Sequence, residues 1–168
     1  MTTHHNARPL RALLAMLAII AAYLLAAAPQ ASANTCNYDG RSFNACLRFD
    51  WAEYGYYRVH VGIDALMGER FAQEILACGP NFSASLMGDD GATDQFIVPL
   101  QLKPGWPVAG TAALAAEFTS ARLGRQLDED PGENQDELYA HITFYDCYGA
   151  LRSYDTGIVR RDFQFSGF

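Results

Sequence analysis

From Tyr56 to Ala65 the chain alternates. Tyr57, Val59, Val61, Ile63 and Ala65 fall on one side of an extended backbone, and Tyr56, Arg58, His60, Gly62 and Asp64 on the other. Successive strand side chains point to opposite faces, so this pattern predicts a half-buried β-strand. Phe43–Trp51 repeats it, with Phe43, Ala45, Leu47, Phe49 and Trp51 inward and Cys46 outward. Tyr54-Gly55 lies between the two stretches and predicts a hairpin turn. A second hairpin is expected where Phe82–Met87 and Phe96–Leu102 flank Gly88-Asp89-Asp90-Gly91. Pro99 cannot donate to a central ladder, which marks its strand as an edge. Leu138, Ala140, Ile142 and Phe144 alternate again on the way to Cys147, and Thr156–Phe165 predicts a last strand with Val159, Phe163 and Phe165 inward.

Two stretches fit more than one period. In Arg70–Cys78, Phe71, Ile75 and Cys78 fit a helix, but the β-rich surroundings favour a strand. In Thr111–Leu127, Leu114, Phe118 and Arg122 allow a helix, while Leu114, Ala116 and Phe118 allow the strand that the flanking pattern favours. About eight short strands separated by turn signals predict an all-β fold, an antiparallel β-sandwich of immunoglobulin-like or jelly-roll type. A closed β-barrel is the alternative. Tyr145-Asp146-Cys147 has the spacing of a tyrosine corner and adds slight support for the sandwich.

The N-terminal pattern is of another kind. Arg8 and Arg11 precede an apolar run from Ala12 to Ala28, and Ala31-Ser32-Ala33 follows. These are the parts of a secretory signal peptide over residues 1–33, leaving a single β-sandwich domain over 34–168. Export gives the four cysteines their meaning. Cys36, Cys46, Cys78 and Cys147 all follow the cleavage site, and an even number in an exported chain implies two disulfides. The expected pairs are Cys36–Cys46, closing a short loop, and Cys78–Cys147, joining two distant strands. The charge of the whole chain is −7, and without Arg8 and Arg11 ten basic residues face nineteen acidic ones, a net of −9. Nucleic acid and anionic membranes need clustered Lys and Arg, so neither is an expected partner.

Candidate chemistry is sparse. His60 and His141 are the two histidines beyond the leader, with Asp64 and Asp146 as acidic neighbours, but no Gly-x-Ser-x-Gly elbow supplies a nucleophile. No catalytic residue is assigned. Calcium is the one cofactor the loops suggest, with Asp128, Asp130, Asp136 and Glu137 as its oxygen donors, although the spacing matches no EF-hand. The aromatic residues Trp51, Tyr54 and Tyr56 form the best ligand-binding set, because outward rings make platforms for sugars or protein partners. The sequence therefore predicts a secreted, non-catalytic binding module for an extracellular glycan or protein. A protease inhibitor and a small extracellular hydrolase are the alternatives.

Overall fold

A computed structural model describes residues 33–79, 81–91, 93–128 and 135–163. Ten antiparallel strands and one helix follow in the order β1 (Ala33–Tyr38), β2 (Phe43–Trp51), β3 (Tyr56–Leu66), α1 (Glu69–Ala77), β4 (Phe82–Gly88), β5 (Gln95–Leu102), β6 (Val108–Ala109), β7 (Ala113–Leu123), β8 (Asp136–Tyr145), β9 (Leu151–Asp155) and β10 (Val159–Arg161). The all-β expectation holds, and so does the strand at Thr111–Leu127. The hydrogen-bonded order is β1-β2-β3-β7-β5-β4-β8-β10, with β6 on β7 and β9 on β8.

β5 belongs to both halves of this sheet. Its first part pairs with β4, and Gln101 and Leu102 pair with β7. The two layers are therefore joined at one corner. At the other corner β1 approaches β9 and β10. Asn37 Nδ2 donates to the Asp155 carbonyl at 3.1 Å, and a Cβ at Gly157 would overlap Thr35 Oγ1. The result is a nearly closed, flattened barrel, lying between the two architectures that the sequence predicts.

The inward rows are the ones that the alternation identifies. Tyr57, Val59, Val61, Ile63 and Ala65 are all buried, as are Leu138, Ala140, Ile142 and Phe144. Each large apolar side chain removed from water contributes about 1.5–3 kcal/mol, so these rows hold the layers together. Aromatic pairs tie one layer to the other: the Phe49 and Phe163 rings lie 4.8 Å apart, and those of Phe43 and Tyr154 5.0 Å apart. Phe165 lies outside the described residues.

The structure corrects the sequence reading in several places. Arg70–Cys78 is not a strand, because Glu69–Ala77 forms a helix. Its residues favour helix in the absence of a β-branched run. Arg70 pairs with Glu74 one turn on, and Ala72 and Ile75 share the buried face. Gly79, at φ 68°, ends it. Cys78 therefore sits at a helix C-terminus, and Cys78–Cys147 joins that helix to the end of β8 instead of joining two strands. Both expected disulfides are formed, with S–S distances of 2.06 and 2.11 Å. Tyr145 is half exposed opposite Leu151, so no tyrosine corner is built there. Phe96 faces solvent because the register shifts between Leu86 and Met87, which places Phe96 opposite the outward Met87. One extra residue in a bulged strand reverses the side that follows it. Pro99 lies where β7 has not yet begun to pair, so the edge expectation holds locally.

Three strands carry no alternation and are not expected from the sequence, one of them the two-residue β6. β1 continues through Asn37-Tyr38, leaving Asp39–Ser42 as the turn, and β9 is an exposed outer strand. Among the described residues no helix is long and apolar enough to cross a membrane.

Candidate functional site

The β2–β3 turn presents three aromatic side chains at one end of the barrel. The Ala52 N–H donates to the Tyr56 carbonyl at 2.7 Å across the loop, and the Tyr56 N–H donates to the Glu53 carbonyl to close a single 3-10 turn at Glu53–Gly55. Inside it Tyr54 adopts φ 60°, ψ 33°, a left-handed conformation that costs a residue with a Cβ about 1–2 kcal/mol. Its ring is 85% exposed, the most exposed large apolar side chain described. Trp51 and Tyr56 are each 42% exposed. Trp51 occupies the inward row, but at the barrel mouth, with its ring edge-on to Tyr57 at 5.1 Å. That contact fixes the indole against the core and leaves it partly in solvent. Trp51, Glu53, Tyr56 and Arg58 line an open depression of 690 Å³. The structure thus brings the expected aromatic set onto one turn.

The outward row of β3 continues from that depression through Arg58, His60, Gly62 and Asp64. Register pairs Asp50 with Arg58 and Arg48 with His60. Arg48 Nε lies 2.9 Å from Asp50 Oδ2, and His60 Nε2 lies 3.5 Å from the same oxygen. Partial burial and then the Arg48 cation push the His60 imidazole below its usual range, against the opposing pull of Asp50. His60 is therefore associated with Asp50 and not with Asp64. On the far side Lys103 Nζ meets Glu117 Oε2 at 2.6 Å. Between these ion pairs lies a 450 Å³ depression, and a smaller one of 170 Å³ adjoins it towards Asn44, Asp64 and Trp106.

The second histidine is on the opposite layer. His141 Nδ1 lies 2.6 Å from Asp155 Oδ1, so Asp155 is its partner and not Asp146. Asp146 instead accepts from the Tyr148 and Ala150 N–H groups and pairs with Arg152. These bonds, the Ala150 N–H foremost, hold its carboxyl below the usual range. Ser85 stands directly opposite His141 across β4 and β8, so Ser85, His141 and Asp155 occupy one row across three strands. No hydrogen bond joins Ser85 to His141. Beside them Tyr139 Oη donates to Asp94 Oδ2 at 2.7 Å, and burial together with that bond raises the phenol's pKa.

Of the expected calcium donors, Asp128, Asp136 and Glu137 lie among the described residues. Asp136 is buried and accepts from the Phe163 N–H at 3.0 Å, and Glu137 pairs with Arg160 at 2.6 Å. Asp128 follows the 3-10 turn after β7, and Asp130 lies outside the described residues. Among the described residues no group of three or more His, Cys, Asp or Glu is arranged to hold a metal ion.

Sequence reading missed Asp50, Asp155, Gly62 and Trp106. The first was within reach: the register that a tight turn at Tyr54-Gly55 imposes already places Asp50 beside Arg58. Asp155 lies on β9, which has no alternation to align it. No protein-family model matches the chain, and no curated protein matches it as a relative.

Proposed function

We propose that this protein is a secreted binding module that recognises an extracellular glycan through Trp51, Tyr54 and Tyr56. One observation carries the reading: Tyr54 is held at φ 60° with its ring almost wholly in solvent, next to two other half-exposed aromatics. A glycine would fit that backbone without strain. An exposed aromatic ring kept at such a position is better explained by contact with a ligand than by packing. Sugars present apolar ring faces edged by hydroxyl groups. Aromatic planes with Glu53 and Arg58 beside them supply the matching surfaces. The two disulfides accord with export and with an extracellular site of action.

The test is depletion of oxidised protein lacking residues 1–33 by a panel of insoluble polysaccharides. Retention on at least one glycan is expected, with binding weakened about tenfold for Trp51→Ala or Tyr56→Ala. No retention on any glycan, or retention indifferent to both changes, overturns the reading.

The inhibitor alternative has less to support it, since the loop spanned by Cys36–Cys46 is a tight turn, its backbone bonded to Asp39. A hydrolase has one specific observation in its favour, the Ser85–His141–Asp155 row. If that row acts as a nucleophile, base and orienting carboxylate, a fluorophosphonate will add to Ser85 Oγ with loss of fluoride, and His141→Ala will abolish the adduct. An unlabelled Ser85 removes this reading.

A further inference from the structure

We infer that the outward row of β3 is one continuous binding track for an extended glycan chain, floored at its centre by Gly62 and ending in Trp106. This rests on the glycan reading and names the ligand it implies: a polymer segment, not a single sugar.

The starting point is a glycine without a local reason. Gly62 lies inside an eleven-residue strand paired on both sides. Glycine in a strand interior forgoes packing and raises the entropy lost on folding. It is retained there for a bulge, a bend, or the close approach of another backbone or a ligand. The register runs unbroken from Phe43↔Ala65 to Trp51↔Tyr57 on one side and from Tyr56↔Leu123 to Leu66↔Ala113 on the other, so there is no bulge. Gly62 is not among the glycines with positive φ. A Cβ built on it meets nothing within 4 Å, so no protein backbone crowds it. What remains is an open floor where every neighbour in its row, Tyr56, Arg58, His60 and Asp64, has a long side chain.

The space over Gly62 is shaped. The two depressions on this face share Cys46, Gly62 and Glu117, which makes them one trench. The Cys36–Cys46 disulfide borders it on the β2 side, and the Lys103–Glu117 pair borders it on the β7 side. Arg48 and His60 stand at one end, Trp106 and Asp64 at the other. Arg58 then links the His60 end to the aromatic depression at Trp51 and Tyr56. From Tyr56 to Asp64 the row spans about 26 Å at the usual strand rise.

The chemistry of this row selects the ligand. The row itself carries one cation, Arg58, and one anion, Asp64, and the flanking charges are paired as Arg48–Asp50 and Lys103–Glu117, so it favours neither a polyanion nor a polycation. Carboxylates, amides and an imidazole offer hydrogen bonds along it, and an aromatic ring lies at each end. A neutral chain with hydroxyl edges and apolar ring faces matches that arrangement along its whole length.

Calorimetric titration with soluble oligosaccharides of the polysaccharide that retains the protein tests this. Affinity is expected to rise with chain length until the ligand spans the row. Gly62→Tyr fills the trench, and Trp106→Ala removes the far ring; each is expected to weaken a long oligosaccharide about tenfold and to leave a disaccharide at the Trp51 end unaffected. Gly62→Ala, whose Cβ meets no protein atom, is expected to fold normally and to weaken the long oligosaccharide less than Gly62→Tyr does. If wild type binds glycan but length, Gly62→Tyr and Trp106→Ala have no effect, the track is wrong while the aromatic-turn reading stands. If Gly62→Ala itself unfolds the protein, Gly62 has a structural reason and the inference falls. If no glycan binds at all, the underlying reading fails.

Discussion

The Phe163 carbonyl oxygen lies so close to Gly124 that a Cβ on that glycine would overlap it. Gly124 follows β7, and Phe163 lies two residues beyond β10 with its ring packed on Phe49 and Tyr57. This contact fixes the last described segment of the chain against the barrel. Gly124→Ala must push that backbone away, and the expected loss is about 1–3 kcal/mol in urea unfolding. Gly62→Ala, where a Cβ meets nothing, should instead gain about 0.5–1 kcal/mol. Equal effects at the two sites would contradict the packing described.

Tyr54→Gly separates stability from binding. Removing a side chain from a left-handed residue is expected to stabilise the fold by about 1 kcal/mol, while loss of the ring weakens glycan retention. Thermal unfolding and depletion on the same samples measure both. A Tyr54→Gly variant that is less stable and binds normally would show the ring to be structural.

The Cys78–Cys147 bridge ties α1 to the end of β8 across 69 residues of sequence. Replacing both cysteines by serine should cost on the order of 2–5 kcal/mol. The helix itself depends on Ile75, which is 1% exposed, so Ile75→Ala should cost about 2–4 kcal/mol. Chemical denaturation measures each.

Acid should unfold the protein partly through Asp146. Its carboxyl is held below the usual range by backbone N–H groups and Arg152, so the unfolded state takes up the proton first. The stabilisation is present above the unfolded value near 3.9 and is lost as pH falls through the lower folded one. Asp39, held down by the Ser42 hydroxyl and three backbone N–H groups, adds in the same direction. His60 has the same sign at higher pH: its depressed folded value makes stability decline as pH drops below about 6.5. Asp146→Asn should flatten the fall below pH 4, and His60→Gln the decline that begins below about 6.5. Unchanged acid profiles in both would refute these assignments.

Much of the fold can be read from period-two alternation, because a strand with one buried face must place its apolar residues at every second position. Tyr57 to Ala65 and Leu138 to Phe144 are clear for that reason. β1 and β9 have no such signal, since outer strands with little buried surface need not alternate. The helix at Glu69–Ala77 was hidden by its neighbours: local residues favour it, and only surrounding strands argue otherwise. The exposure of Phe96 cannot be read from spacing, because the register shift between Leu86 and Met87 leaves no mark in the alternation. The aromatic turn was legible as a cluster of ring-bearing residues. The trench was not, because an outward glycine acquires meaning only once Cys46 and Glu117 are known to flank it.

The most direct measurement is an NMR titration of the oxidised, isotope-labelled protein with a soluble oligosaccharide of the glycan that retains it. The chain has two tryptophans, so two indole N–H signals report the two ends of the row. Binding along β3 predicts that the Trp51 and Trp106 indoles and the amides near Tyr56, His60 and Gly62 shift together and saturate at one ligand concentration. Shifts confined to the layer carrying His141, or none at saturating glycan, would contradict it.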